Sequence, residues 1–122
     1  MAVFSDCSRM VSGGSDGSVK SWGAKTGTNL MTLTGHRGEV FCVAVFSDCA
    51  RIVSGSGDES VKIWDAKTGL ELLNLTGHSD YVPGVAVFRD CSRIVSGSCD
   101  QSVKVWDART GSELLKPTGY RC

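Results

Sequence analysis

At 122 residues, with 41% hydrophobic and 21% charged residues, the chain has the composition of an ordinary globular domain and not of a disordered segment. Thirteen basic residues balance thirteen acidic ones, and a formal charge of zero gives no electrostatic drive toward nucleic acid or an anionic membrane. No apolar run reaches the length of a membrane span, and the start, MAVFSDCSRM, has neither the basic region nor the long apolar stretch of a secretory signal, so the expected location is the cytoplasm.

One unit is written three times with a period of 42 residues. AVFSDCSRMVSG at 2–13 returns as AVFSDCARIVSG at 44–55 and as AVFRDCSRIVSG at 86–97, and Trp22, Trp64 and Trp106 keep the same step. Residues 36–77 and 78–119 share 28 of 42 positions. A period in this range signals a solenoid, propeller or array. The boundaries read as 1–35 with a shortened first strand, 36–77, and 78–122 with a short seam at its end.

In chain order, the middle copy reads as four strands. Residues 40–46 (VFCVAVF) form an apolar run bounded by turn residues, which predicts a strand buried on both faces. Ser47-Asp48-Cys49-Ala50 is a turn, residues 51–56 a second strand and Gly57-Asp58-Glu59 a tight connection. Residues 60–64 are a third strand, Ala66-Lys67-Thr68-Gly69 a hairpin ending in glycine with a bulge, and residues 70–75 a fourth strand. Short connections make the strands an antiparallel meander, and no run suits an amphipathic helix. Such a sheet needs a neighbour on each face, above all for strands 1 and 3, and radial stacking supplies it. Pro83 in a first strand and Pro117 in a fourth strand fall on edge strands, where a missing N–H is tolerated.

Of the six cysteines, Cys7, Cys49 and Cys91 are one position seen three times, while Cys42, Cys99 and Cys122 are scattered. Without a C-x-x-C pair, and with two histidines in all, they read as reduced thiols and not as a disulfide framework or metal site. Arg9, Arg51 and Arg93 are also equivalent, and local ion pairs with Asp6, Asp48 and Asp90 are expected ahead of a polyanion site.

The pattern GH…RIVSGS-x-D-x-SVK-[IV]-WDA-[KR]-TG resembles the WD40 family across essentially the whole chain. Gly35-His36 pairs with Trp64-Asp65, and Gly77-His78 with Trp106-Asp107, at equal His-to-Trp separations of 28 residues. The resemblance implies an all-β fold, three four-stranded antiparallel blades of a β-propeller per chain, and a binding platform in place of a catalyst, with no cofactor and no metal. It also implies a buried hydrogen-bonded tetrad in each unit: His36, Ser54, Asp58 and Trp64 in the second, His78, Ser96, Asp100 and Trp106 in the third. Elementary chemistry agrees, since a buried carboxylate needs donors and a buried indole N–H needs an acceptor. A hydrolytic reading of Ser, His and Asp lacks a nucleophile elbow and an oxyanion loop. The first unit departs from the pattern: Ser12, Asp16 and Trp22 lack a preceding Gly-His, Gly23 replaces the Asp of the WD pair, and Ser21 replaces Ile63 and Val105. This unit is expected to be the least stable.

Three blades do not close a ring, because propellers run from four blades upward. A head-to-tail homo-oligomer would close it, with three copies giving nine blades and two giving six. The trimer is favoured because opening a wedge from about eight blades to nine is the smaller change. The seam would fall at Met1 and Tyr120, with Tyr120 in the missing histidine's slot and its hydroxyl directed at Asp16. In the family, partners use the loops leading into strand 1 and the strand 2–3 turns, here Glu39, Phe41, Tyr81, Pro83, Ser15, Gly57 and Cys99, with the two aromatics as anchors for a protein or peptide. The function so read is a protein-interaction scaffold. The alternatives are a nascent or truncated propeller with no dedicated partner, and a small-ligand-binding propeller.

Overall fold

The structure, a computed structural model, describes residues 2–4 and 8–116. Among these residues all regular structure is strand, in three separate four-stranded antiparallel sheets. The first holds β1 (Ala2–Val3), β2 (Arg9–Gly13), β3 (Val19–Gly23) and β4 (Asn29–Leu33). The second holds β5 (Val40–Val45), β6 (Arg51–Ser56), β7 (Val61–Asp65) and β8 (Glu71–Leu75). The third holds β9 (Gly84–Val87), β10 (Arg93–Gly97), β11 (Val103–Asp107) and β12 (Glu113–Leu115). Strands are hydrogen-bonded in chain order, as a meander requires when every connection is short. No helix long and apolar enough to cross a membrane occurs among the described residues.

The repeat in sequence is a repeat in register. Arg9 pairs with Gly23, Arg51 with Asp65 and Arg93 with Asp107, so equivalent residues open each second-to-third strand ladder. The bulge expected beside the third turn lies at Ser21/Trp22, Ile63/Trp64 and Val105/Trp106. Gly27, Gly69 and Gly111 close those turns at φ of 70°, 78° and 79°, a left-handed conformation that glycine adopts without the Cβ clash of other residues.

The proline reading needs correction. Pro83 lies just ahead of β9, not within a strand, and β9 begins at Gly84, whereas its counterpart β5 starts at Val40 and bulges near Cys42. Proline has no N–H to give the ladder, and glycine in place of Cys42 offers no side chain to pack. Pro117 lies outside the described residues. Of the first and third strands expected to need cover on both sides, the third has it and the first does not. In the middle sheet β6 and β7 are almost wholly buried, while β5 alternates and leaves Phe41 exposed at 42%.

Two apolar joints hold the three sheets together. In the first, Phe4, Val11, Val19 and Leu33 meet Val43, Ile52, Trp64 and Ala66. In the second, Phe46, Val53, Val61, Ile63 and Leu75 meet Val82, Ile94, Trp106 and Ala108. The joints are chemically equivalent: an aliphatic-and-Phe face of one sheet closes on the Trp-bearing face of the next. The middle sheet therefore spends both faces, and the outer faces of the first and third sheets stay open. Phe88 is 41% exposed and Leu115 56% exposed, where their counterparts Phe46 and Leu73 lie within the second joint.

Candidate functional site

Each complete copy carries a continuous chain of polar contacts from strand to loop. In the middle sheet Trp64 Nε1–H donates to Ser54 Oγ at 2.9 Å, and Ser54 Oγ lies 2.7 Å from His36 Nε2. His36 Nδ1 lies 3.0 Å from Asp58 Oδ2. Because a carboxylate only accepts, the proton sits on Nδ1 and the serine hydroxyl donates to Nε2. The third sheet repeats this. Trp106 donates to Ser96 at 2.8 Å, Ser96 lies 2.7 Å from His78 Nε2, and His78 Nδ1 lies 3.1 Å from Asp100.

Asp58 also accepts the Arg37 N–H at 2.9 Å and the Ser60 N–H and O–H at 2.9 and 2.6 Å. Burial alone would raise its pKa, but the bonds from Ser60, Arg37 and His36 prevail and hold the carboxyl well below its ordinary range. Asp100 is held low in the same way by Ser102, Ser79 and His78 against its burial. Burial lowers the His36 pKa, outweighing the bond and charge of Asp58, so the imidazole is neutral.

Ser60 and Ser102 bond carboxylate and imidazole both, and the family pattern did not single them out. Their signal in the sequence is a serine two residues after each tetrad aspartate, at 60 and 102 and again at 18.

Serine, histidine and aspartate here keep the spacing of a hydrolytic triad, yet Ser54 and Ser96 have no solvent exposure and their oxygens already accept an indole N–H. A nucleophile needs an approach path for its substrate. No group of side chains suited to a metal occurs among the described residues.

The first sheet shows what the missing histidine leaves behind. Trp22 Nε1 still donates to Ser12 Oγ at 2.9 Å, and Ser18 donates to Asp16 at 2.7 Å, which with the Ser18 N–H lowers the Asp16 pKa. Between them lies an open cavity of about 250 Å³ lined by Ser12, Gly14, Ser15, Asp16, Ser18 and Lys20. Trp22 is only half-buried, against 1% and 2% exposure for Trp64 and Trp106. Ser21 is fully buried and its hydroxyl has no partner among the described residues. Met1 and Tyr120, the seam residues, lie outside the described residues, as do Asp6 and Cys7.

Five of the seven residues expected on the binding face are linked. Gly57 N–H donates to the Glu39 carbonyl at 2.8 Å, and Cys99 N–H to the Tyr81 carbonyl at 2.9 Å. The Phe41 and Tyr81 rings stand 5.5 Å apart at 45°, both exposed. A Cβ on Gly57 would meet the Phe41 ring at 3.2 Å and Tyr81 at 3.7 Å, so glycine lets the rings lie close over the turn. Pro83 is half-buried beside this group. Ser15 is apart from it, on the rim of the first sheet's cavity.

Arg9 and Arg51 each reach a backbone carbonyl of the next blade, and Asp6, the aspartate expected beside Arg9, lies outside the described residues. Arg9 Nη1 donates to the Ala66 carbonyl at 3.1 Å, and Arg51 Nη1 to the Ala108 carbonyl at 3.0 Å. The ion pairs among the described residues that do not depend on histidine protonation use lysine: Lys62–Glu71 and Lys104–Glu113. Asp48 and Asp90 spend an oxygen each on their own turns, accepting Ala50 N–H and Ser92 N–H. Cys42 and Cys91 carry free thiols, with burial pushing the Cys42 thiol up to about 11. Cys99 is disulfide-bonded, so the expectation of reduced thiols fails there.

A model of the family described as WD domain, G-beta repeat (WD40) matches residues 1–23, 27–65 and 69–107. Each of the two longer matches spans the fourth strand of one sheet and the first three of the next, so the family's sequence unit is staggered against the sheets. No curated protein sequence matches the chain. A solved structure described as the structure of U3-55K superposes with a TM-score of 0.91 at 32% identity, covering 96% of this chain and 38% of that one. The chain thus spans well under half the length of that protein.

Proposed function

The chain belongs to the WD40 (WD domain, G-beta repeat) family, and on that premise we propose that it is a protein-interaction scaffold, an arc of three blades that presents a binding face and completes its ring with further copies of itself. The observation that carries the scaffold reading is the exposed Phe41–Tyr81 pair, joined through Gly57, Glu39 and Cys99 to the turns of two blades. Exposed aromatics on a rigid frame act as interface anchors because they bury much area at little entropic cost. The tetrads stand behind this face and fix the loops that carry it. A peptide selected on the intact protein from a random library tests the reading. Phe41→Ala and Tyr81→Ala should each weaken its binding at least tenfold, and a selected peptide indifferent to both changes would place the contact elsewhere.

The assembly reading rests on the two open faces. The third blade offers Phe88, Val95, Val103 and Leu115, which correspond to Phe46, Val53, Val61 and Leu73 of the second joint. The first blade offers Met10, Trp22 and Ala24, which correspond to Ile52, Trp64 and Ala66 of the first. These are the two halves of a joint the chain already makes twice, and a heterologous contact of that kind closes into a ring when its rotation divides a full turn. Three copies make nine blades and two make six. Sedimentation equilibrium over a concentration series separates trimer, dimer and single chain.

A further inference from the structure

We infer that Arg93 is the clasp of the seam, its guanidinium donating to the Ala24 carbonyl of a second copy, an inference that rests on the head-to-tail reading above. Within the chain the same bond is made twice. Arg9 reaches the Ala66 carbonyl at 3.1 Å and Arg51 the Ala108 carbonyl at 3.0 Å, both across a sequence step of 57 residues. That step from Arg93 runs past residue 122, and carried onto a second copy with the 42-residue repeat it lands on Ala24, the residue aligned with Ala66 and Ala108.

Both ends of the missing bond are open in the single chain. Arg93 is exposed and has no side-chain hydrogen bond or ion pair among the described residues, although its charge acts on the neighbouring Asp90. Ala24 is exposed, whereas Ala66 and Ala108 are 1% and 2% exposed. The two internal clasps share a second feature. The Arg9 guanidinium lies 4.0 Å from the centre of the Phe4 ring, and that of Arg51 lies 4.1 Å from Phe46, with each ring buried by the next blade. Phe88, the equivalent ring for Arg93, is 41% exposed. A second copy docked on the third blade would cover Phe88, bring Ala24 under the guanidinium and shut the half-exposed Trp22 into a joint like those around Trp64 and Trp106.

An arginine fork bonding a carbonyl at the edge of an apolar joint sets the register of that joint, because a slipped copy would leave a charged donor unpaired against apolar surface. A second copy of this chain carries both the matching face and the carbonyl that the clasp needs.

The test compares the dissociation constants of the full chain and of Arg93→Ala by sedimentation equilibrium, with Arg37→Ala, an exposed arginine of the middle blade, as a charge-matched control. Arg93→Ala should weaken self-association by about 10- to 100-fold, as for loss of a hydrogen bond to a charged group, and Arg37→Ala should leave it unchanged. Matching unfolding curves for the dissociated proteins would confirm that the exposed substitution leaves the fold intact. An assembled wild type with an equally assembled Arg93→Ala overturns the clasp alone. A wild type that stays a single chain at every concentration overturns the head-to-tail reading and the clasp with it.

Discussion

At the scale of single residues, the fold turns on whether each buried polar atom has a partner. Ser54 Oγ bonds both Trp64 and His36 and has no solvent exposure, so Ser54→Ala strands two groups at once. The expected loss is about 3 kcal/mol in urea unfolding. Ser12→Ala should cost about 1 kcal/mol or less, because Trp22 is half-open and no histidine completes that site. Ser21 is the converse case, a buried hydroxyl without a partner where the other blades carry Ile63 and Val105. Ser21→Val should raise stability by about 1–2 kcal/mol, and a lower urea midpoint would show that the hydroxyl is satisfied in solution.

Acid should unfold the protein in two stages. Burial lowers the folded His36 pKa below the ordinary 6.5, so the unfolded chain takes up a proton there that the fold resists. Stability is then complete above about 6.5 and declines as the pH falls below it. Asp58 and Asp100 are held below the ordinary 3.8 against their burial, so their contribution is present above that value and is lost as the pH falls further. Urea midpoints measured from neutral pH down past 3.8 follow both stages. A midpoint that rose between neutrality and pH 5 would mean that the Asp58 carboxylate, not burial, governs His36.

At the scale of the strand and the blade, close approach decides which residues are allowed. A Cβ on Gly55 would come within 2.7 Å of Cys42 Sγ in its own sheet and 2.8 Å of the Val82 carbonyl in the loop leading into the next. Gly55→Ala should therefore cost about 1–3 kcal/mol through overpacking, measured by thermal or urea unfolding, although glycine-to-alanine changes stabilise where space allows. The WD-pair aspartates act on turns. Asp65 accepts the N–H groups of Lys67 and Thr68 at 2.8 and 2.9 Å, and Asp107 those of Arg109 and Thr110 at 2.8 and 3.0 Å. Gly23 in the first blade gives its turn no such acceptor. The strand order, the bulge beside each tryptophan and the tetrad members were all legible, because each follows from a local pattern repeated at a fixed step. The late start of β9 at Gly84 was not legible, since Pro83 fits an edge strand in principle and the ladder shows that it does not enter one.

At the scale of the whole molecule, the three blades differ in how much of their surface is spent. Trp22, half-open in the single chain, is the reporter of that difference. Dilution should make one of the three tryptophans accessible to acrylamide while Trp64 and Trp106 stay shielded, and concentration should shield it again. Quenching independent of concentration would mean that the first blade's open face is not the one covered.

The sequence by itself determined the repeat, the four-strand unit, the family and the four tetrad side chains of each complete copy, because these depend on periodicity and on side-chain chemistry at fixed offsets, though it did not single out Ser60 and Ser102. Only the tertiary structure decided which contacts pass between blades: that Arg9 and Arg51 reach carbonyls of the next blade, that Phe41 and Tyr81 meet over Gly57, and that two chemically matched faces remain open. Those contacts join residues about 40 to 57 positions apart, and their partners are fixed by the stacking of whole sheets, which no local pattern records.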